Sequence, residues 1–183
     1  MKRLLWILVS VVLLVAATLV GVRTEIAGLW RFRERQVVQA DKAGADLDGV
    51  QVRVNDVWAM SASNFPDRAA IVVRLALSGP QSARDAWSGC DVSLQDDAGR
   101  VWLPVSNADT DTVIRFISPD GDSKGRCNPM PYDAPPEGQA ILSDQLFLVP
   151  AALLKGARLR VSAPGTRPRA LEFAVNPVLR DLH

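Results

Sequence analysis

A run of 19 residues without a charge or a proline, residues 4–22 (LLWILVSVVLLVAATLVGV), constrains this chain more than any other feature. A helix rises about 1.5 Å per residue, so the run would extend roughly 28 Å, close to the roughly 30 Å hydrocarbon thickness of a bilayer. A small soluble domain has little room for a helix that is apolar on every face. Two readings compete. Lys2 and Arg3, the apolar stretch and Val15-Ala16-Ala17 match a cleavable signal peptide. The continuation through Leu19, Val20 and Val22, where a cleaved peptide should turn polar, favours a retained anchor, and the anchor is carried forward here.

Orientation follows from the rest of the chain. Lys2 and Arg3 favour a cytoplasmic N-terminus, whereas Arg23, Arg31, Arg33 and Arg35 argue the reverse. A large trailing domain is translocated largely regardless of such charges. The two cysteines, Cys90 and Cys127, weigh more. Their spacing is not that of a zinc site. An even pair behind an export-type N-terminus reads as one structural disulfide in an oxidising compartment, with two unrelated buried thiols as the alternative. The expected location is the cell membrane, single-pass, with the domain outside the cytoplasm.

The 183 residues carry a formal net charge of +1, with both signs interspersed and no basic block, which gives nucleic acid no footing as a partner. Residues 23–40 (RTEIAGLWRFRERQVVQA) have helical spacing of Ile26, Leu29, Trp30 and Val37. Trp30 and Phe32 suit headgroup depth at a membrane interface, with Arg31 and Arg33 reaching phosphates. Residues 41–48 read as a linker, closing a juxtamembrane segment 23–48. A domain is expected over residues 49–176, followed by a tail, 177–183.

Within that domain, apolar residues alternate with polar ones. Val50, Val52 and Val54 mark one strand; Ile71, Val73, Leu75 and Leu77 a second, with Arg74 on its other face; Cys90, Val92 and Leu94 a third. Residues 96–99 (DDAG) are hairpin chemistry leading into Val101 and Leu103. Residues 113–117 read as a short strand, and residues 118–138 as a long loop carrying five prolines and Cys127, of a length that calls for tying down. A strand over 139–149 and a closing hairpin over 157–163 and 170–175 complete about eight strands. The expected fold is all-β, an antiparallel β-sandwich behind one transmembrane helix.

The pattern around residues 69–77, the hairpin at 96–100 (DDAGR), and residues 147–150 (FLVP) running into 154–161 (LKGARLRV) carry a resemblance. Over residues 49–175 the chain resembles the anchored, immunoglobulin-like extracytoplasmic domains of unknown function found in many bacterial surface proteins and lipoproteins. The resemblance implies a fold and a location and brings no catalytic residues with it. No lipobox cysteine stands near the apolar run.

Chemistry has little to work with. The only histidine is His183, at the end of the sequence, so no Ser-His-Asp or Cys-His arrangement can be assembled around a well-held base. Asp96/Asp97 and Asp120/Asp122 are close in sequence but read as solvated turns. Residues 107–111 (NADTD) space oxygens like the first half of a calcium loop. The glycine of position six is replaced by Thr112, and the glutamate of position twelve by Ser118. No catalytic, metal or cofactor site is expected. Trp102, Trp87 and Tyr132 are the candidate contacts for a partner, core packing being the alternative for Trp102. The expected function is non-enzymatic: an interaction or accessory module for an envelope or membrane protein, such as a transporter component. The alternative is a ligand-binding domain for a glycan, a wall polymer or a metal ion.

Overall fold

The computed structural model describes residues 10–15, 17–18, 34–41, 43–62, 64–128 and 139–180. The chain forms two units, Met1–Arg33 and Glu34–His183. In the first, residues 10–15 and 17–18 of the apolar run are helical and exposed, and the Thr18 hydroxyl donates back to the Leu14 carbonyl at 3.0 Å. Among the described residues no helix is long and apolar enough to cross a membrane. Trp30, Arg31, Phe32 and Arg33 lie outside the described residues, as does Tyr132.

The second unit is two stacked β-sheets. One has the order β1-β9-β8-β5-β6, built from β1 (Gln36–Ala40), β9 (Arg169–Ala174), β8 (Arg158–Ser162), β5 (Asp91–Gln95) and β6 (Val101–Trp102). The other has the order β10-β3-β4-β7, from β10 (Val178–Leu179), β3 (Val50–Ala62), β4 (Phe65–Ser78) and β7 (Ile141–Pro150), with β2 (Ala45–Leu47) added beside β3. Most neighbours are antiparallel; β1 on β9 and β10 on β3 are parallel. The alternation read in the sequence sets which side chains meet. Ile71, Val73, Leu75 and Leu77 of β4 point inward onto Val92 and Leu94 of β5, Leu159 and Val161 of β8, and Leu171 and Phe173 of β9. Register is firmly held because a one-residue slip would turn this whole set outward.

The domain is larger than residues 49–176. Residues 36–40 are a strand, not the end of a helix, because Val37 and Val38 complete an edge on β9, with Gln36 opposite Arg169 and Ala40 opposite Phe173. Residues 45–47 are likewise a strand, and Leu47 is fully buried in the core, so the supposed linker belongs to the sandwich. At the other end, β10 and the Arg180 amide, which donates to the Ala59 carbonyl, bind part of the supposed tail to β3.

Two helices also depart from the all-strand expectation. Helix α1 (Gln81–Trp87) follows Pro80, whose fixed φ suits a helix start, and ends at Ser88 in the left-handed region. Helix α2 (Thr110–Ile117) replaces the strand expected over 113–117. Its β-branched residues favour a strand locally, but Thr110, Ile114 and Ile117 fall on one helical face. That face covers Trp58, Ala70, Val72 and Leu146 on the outer side of the second sheet, a second small core. Tertiary burial overrides propensity here.

The turn after β8 runs directly against α1. A Cβ at Gly165 would stand 2.2 Å from the Ala86 carbonyl oxygen, backbone that cannot swing aside. Gly165→Ala is therefore expected to lower stability by about 1–3 kcal/mol, the usual cost of overpacking, read as a lower urea midpoint at unchanged m-value.

Candidate functional site

β6 covers only part of β5. Trp102 and Val101 pair with Leu94 and Gln95, and then Leu103-Pro104 carries the chain across to the other sheet, where the Val105 amide donates to the Leu146 carbonyl at 2.7 Å. Asp91, Val92 and Ser93 have no strand on that side among the described residues. At the far end of the gap Cys90 and Cys127 form a disulfide with their Cα atoms 5.4 Å apart, inside the usual range, and the Cys90 amide donates to the Cys127 carbonyl at 2.8 Å. The result is a cleft of about 580 Å³ along the side of the sandwich. Its wall has an apolar part, with Val92, Val101, Leu103 and Pro104, and a polar part that includes Asp91, Arg126 and Arg167. Leu103 is 72% exposed at its rim, and Val101 is exposed beside it.

The ionic groups around the cleft are mostly satisfied. Arg167 pairs with Asp91, and Glu34 accepts from the Ser162 hydroxyl and lies 3.7 Å from Arg160. Arg126 differs: its guanidinium donates to the Ser106 hydroxyl, and no carboxylate pairs with it among the described residues.

The residues singled out in sequence fall in different places. Cys90 and Cys127 are bonded and buried, and Cys90 lines the cleft. Trp87 is not a surface contact. It is 1% exposed in the main core, and its indole N–H donates to the Leu47 carbonyl at 3.2 Å, because α1 turns its last residue inward between the sheets. Trp102 is half-buried against the same core, with the Arg100 guanidinium 5.6 Å from its ring centroid. Val101 and Leu103, expected to share a strand face, are both exposed. In residues 107–111, Asn107 Oδ1 accepts from the Thr110 hydroxyl at 2.9 Å and from the Asp109 amide at 3.2 Å, closing the turn that starts α2. Among the described residues no three metal-ligating side chains gather.

A charged centre that sequence reasoning missed lies on the outer face of the second sheet. Arg74, placed on the open side of its strand by alternation, is only 4% exposed. It stands opposite Asp144 of β7 and donates to it twice, at 2.7 and 2.8 Å, then to Asp120 at 2.6 Å, to the Ser118 hydroxyl and to the Asp122 carbonyl. Its guanidinium lies 4.9 Å from the Trp58 ring centroid. Asp144 also accepts the Lys124 amide at 2.9 Å, so residues 118–125 are held over the sheet by the same pair. An arginine within the apolar run of β4 and the polar triplet Ser143-Asp144-Gln145 within β7 were the available signal. Every polar group in this network has a partner, which makes it a fastener and not a reactive site.

Acid titration should expose that fastener. The hydrogen bond from Arg74, then that from Ser118, holds the Asp120 carboxyl well below its ordinary 3.8. Asp122 is held low chiefly by Lys124. At Glu172 burial pushes upward, but hydrogen bonds from Gln39 and Arg160 prevail and hold the carboxyl below 4.5. Groups depressed on folding contribute stability that is complete above their unfolded values and lost as pH falls through the folded ones. Unfolding free energy should thus be insensitive to these carboxylates above about pH 5 and fall progressively below about pH 4. Asp120→Asn should reduce the slope of the acid limb, read by urea titrations at a series of pH values.

No family model and no curated protein matches the chain. Among solved structures it is similar to a protein of Staphylococcus aureus described as a "putative lipoprotein", with 8% sequence identity, a TM-score of 0.40, and coverage of 74% of this chain and 91% of that one.

Proposed function

We propose that this chain is a non-enzymatic, membrane-anchored interaction module, working outside the cytoplasm on a protein of the membrane or envelope. The observation that carries the reading is the cleft beside the disulfide, with exposed Leu103 and Val101 on its rim and, among the described residues, an unpaired strand edge in its floor. Apolar side chains collected at one concave place are what a protein partner covers. Around them Asp91 is engaged by Arg167 and Glu34 by the Ser162 hydroxyl, so among the described residues the cleft holds no poised acid–base pair. The disulfide supports an oxidising compartment, and the apolar run of residues 4–22 supports attachment by a single helix.

Strand order supports an immunoglobulin-like version of the sandwich. With β3, β4, β5, β7, β8 and β9 taken as strands A, B, C, E, F and G, the sheets read A-B-E and G-F-C, the division of that fold. In chain order α2 stands where strand D would be, although it lies on the face of the sheet and not at its edge, and the disulfide joins the start of strand C to a loop instead of joining B to F.

Purification of the full chain from its native membranes in mild detergent tests the function. A stoichiometric protein companion that stays bound through size exclusion is the expected result. A chain that emerges alone, with and without prior chemical cross-linking of the membranes, would overturn the reading.

A further inference from the structure

The interaction reading leaves open how a partner is held, and the ladder around β5 answers that if the reading stands. In an antiparallel ladder, alternate residues present both N–H and C=O to the same edge. Asp96 donates to the Arg100 carbonyl, Leu94 pairs with Trp102, and Cys90 donates to the Cys127 carbonyl. These three fall in one alternating series, interrupted at residue 92, and all bond on the side of β5 away from β8. Val92 falls in the same series, so its N–H and C=O point into the gap between Cys127 and Trp102. Its neighbours Asp91 and Ser93 turn theirs to β8.

The gap has the size of a short strand. Three residues, Asp91, Val92 and Ser93, lie between the Cys90 bond and the Leu94 pair, a span of four steps or about 13 Å at roughly 3.3 Å per residue, room for about three residues of an added chain. It is flanked by groups that would read such a chain. Val92, Val101, Leu103 and Pro104 offer an apolar wall. Among the described residues Arg126 offers a guanidinium matched only by a neutral hydroxyl, while Asp91 and Glu34 are already engaged. Arg167 adds a buried Nε that has no hydrogen-bond partner among the described residues. Unpaired strand edges are templates for another chain, and proteins that do not use them ordinarily cover or charge them.

We infer that the cleft binds an extended segment of the partner protein by strand addition to β5 at Val92, with an acidic side chain of that segment received by Arg126 and an apolar one by Leu103. Main-chain bonds would give affinity and these two side chains selectivity, the division of labour in β-augmentation.

The probe is a displayed library of random nine-residue peptides, selected on the full chain held in nanodiscs. Enriched peptides are expected to carry one aspartate or glutamate next to an apolar residue and to slow hydrogen exchange at the Val92 amide. Changing that acid to its amide should weaken binding at least tenfold to the wild-type chain and hardly at all to Arg126→Gln. Leu103→Asp should enrich none of these peptides. Enrichment of the same peptides by wild type and Leu103→Asp, or exchange at Val92 unchanged by bound peptide, would overturn strand addition. So would a library from which nothing is enriched. A photoreactive residue placed at Leu103 or at Phe116 of α2, exposed elsewhere on the domain, separates this failure from that of the interaction reading. Cross-linking to a membrane protein from position 116 alone would remove the cleft and keep the module; cross-linking from neither would remove both.

Discussion

Replacing Arg74 by alanine is expected to destabilise the domain by about 3–5 kcal/mol, because Asp144 would be left as a buried carboxylate without its counter-charge. Asp144 is 0% exposed and takes both of its strongest hydrogen bonds from Arg74. Arg74→Lys should recover only part of the loss, since an ammonium cannot reproduce a forked contact to one carboxylate together with bonds to Asp120 and Ser118. The informative comparison is the double variant Arg74→Met/Asp144→Leu. Removing both charges in favour of apolar groups should cost much less than Arg74→Ala alone. Urea unfolding of the four proteins would check it. A single Arg74→Ala variant within 1 kcal/mol of wild type would mean that the pair carries little of the stability.

The second large effect belongs to the disulfide. Loss of the bond through Cys90→Ala/Cys127→Ala is expected to lower stability by about 4 kcal/mol, the chain-entropy value for a loop closed across a sequence separation of 37. That loop contains β5, β6 and α2, so the released entropy is that of about a quarter of the second unit. The comparison is between wild type and the double variant, with wild type under strong reductant as a third arm. A reduced protein as stable as the oxidised one would show that the surrounding packing holds residues 90 and 127 together unaided.

How much of this could be read from the sequence depended on how much of each contact was local. Ile71, Val73, Leu75 and Leu77 declared their strand because one face is wholly buried and the period is two. The pairing of Cys90 with Cys127 was readable from their number and the export-type start. β1 was not, because Val37 and Val38 sit among arginines and glutamines whose helical spacing is equally good; what makes them a strand is β9, more than 130 residues away in sequence. Helix α2 was hidden for the opposite reason. Its own residues favour a strand, and only Trp58 and Leu146 beneath it settle the matter. The cleft could not be read at all. It requires the crossing at Leu103-Pro104, the segment at 126–128 and the end of β5 to be in one place, and none of these is near another in composition or pattern.

The parallel pairing of β1 with β9 has a mechanical side. Tension carried along the chain from residues ahead of Gln36, resisted by whatever holds the chain beyond Ala174, pulls the two strands at opposite ends. Their five registered pairs, Gln36 on Arg169 through Ala40 on Phe173, are then loaded in shear, all together, and cannot be peeled one at a time. The first strand therefore works as a clasp, whose pairs hold or give together.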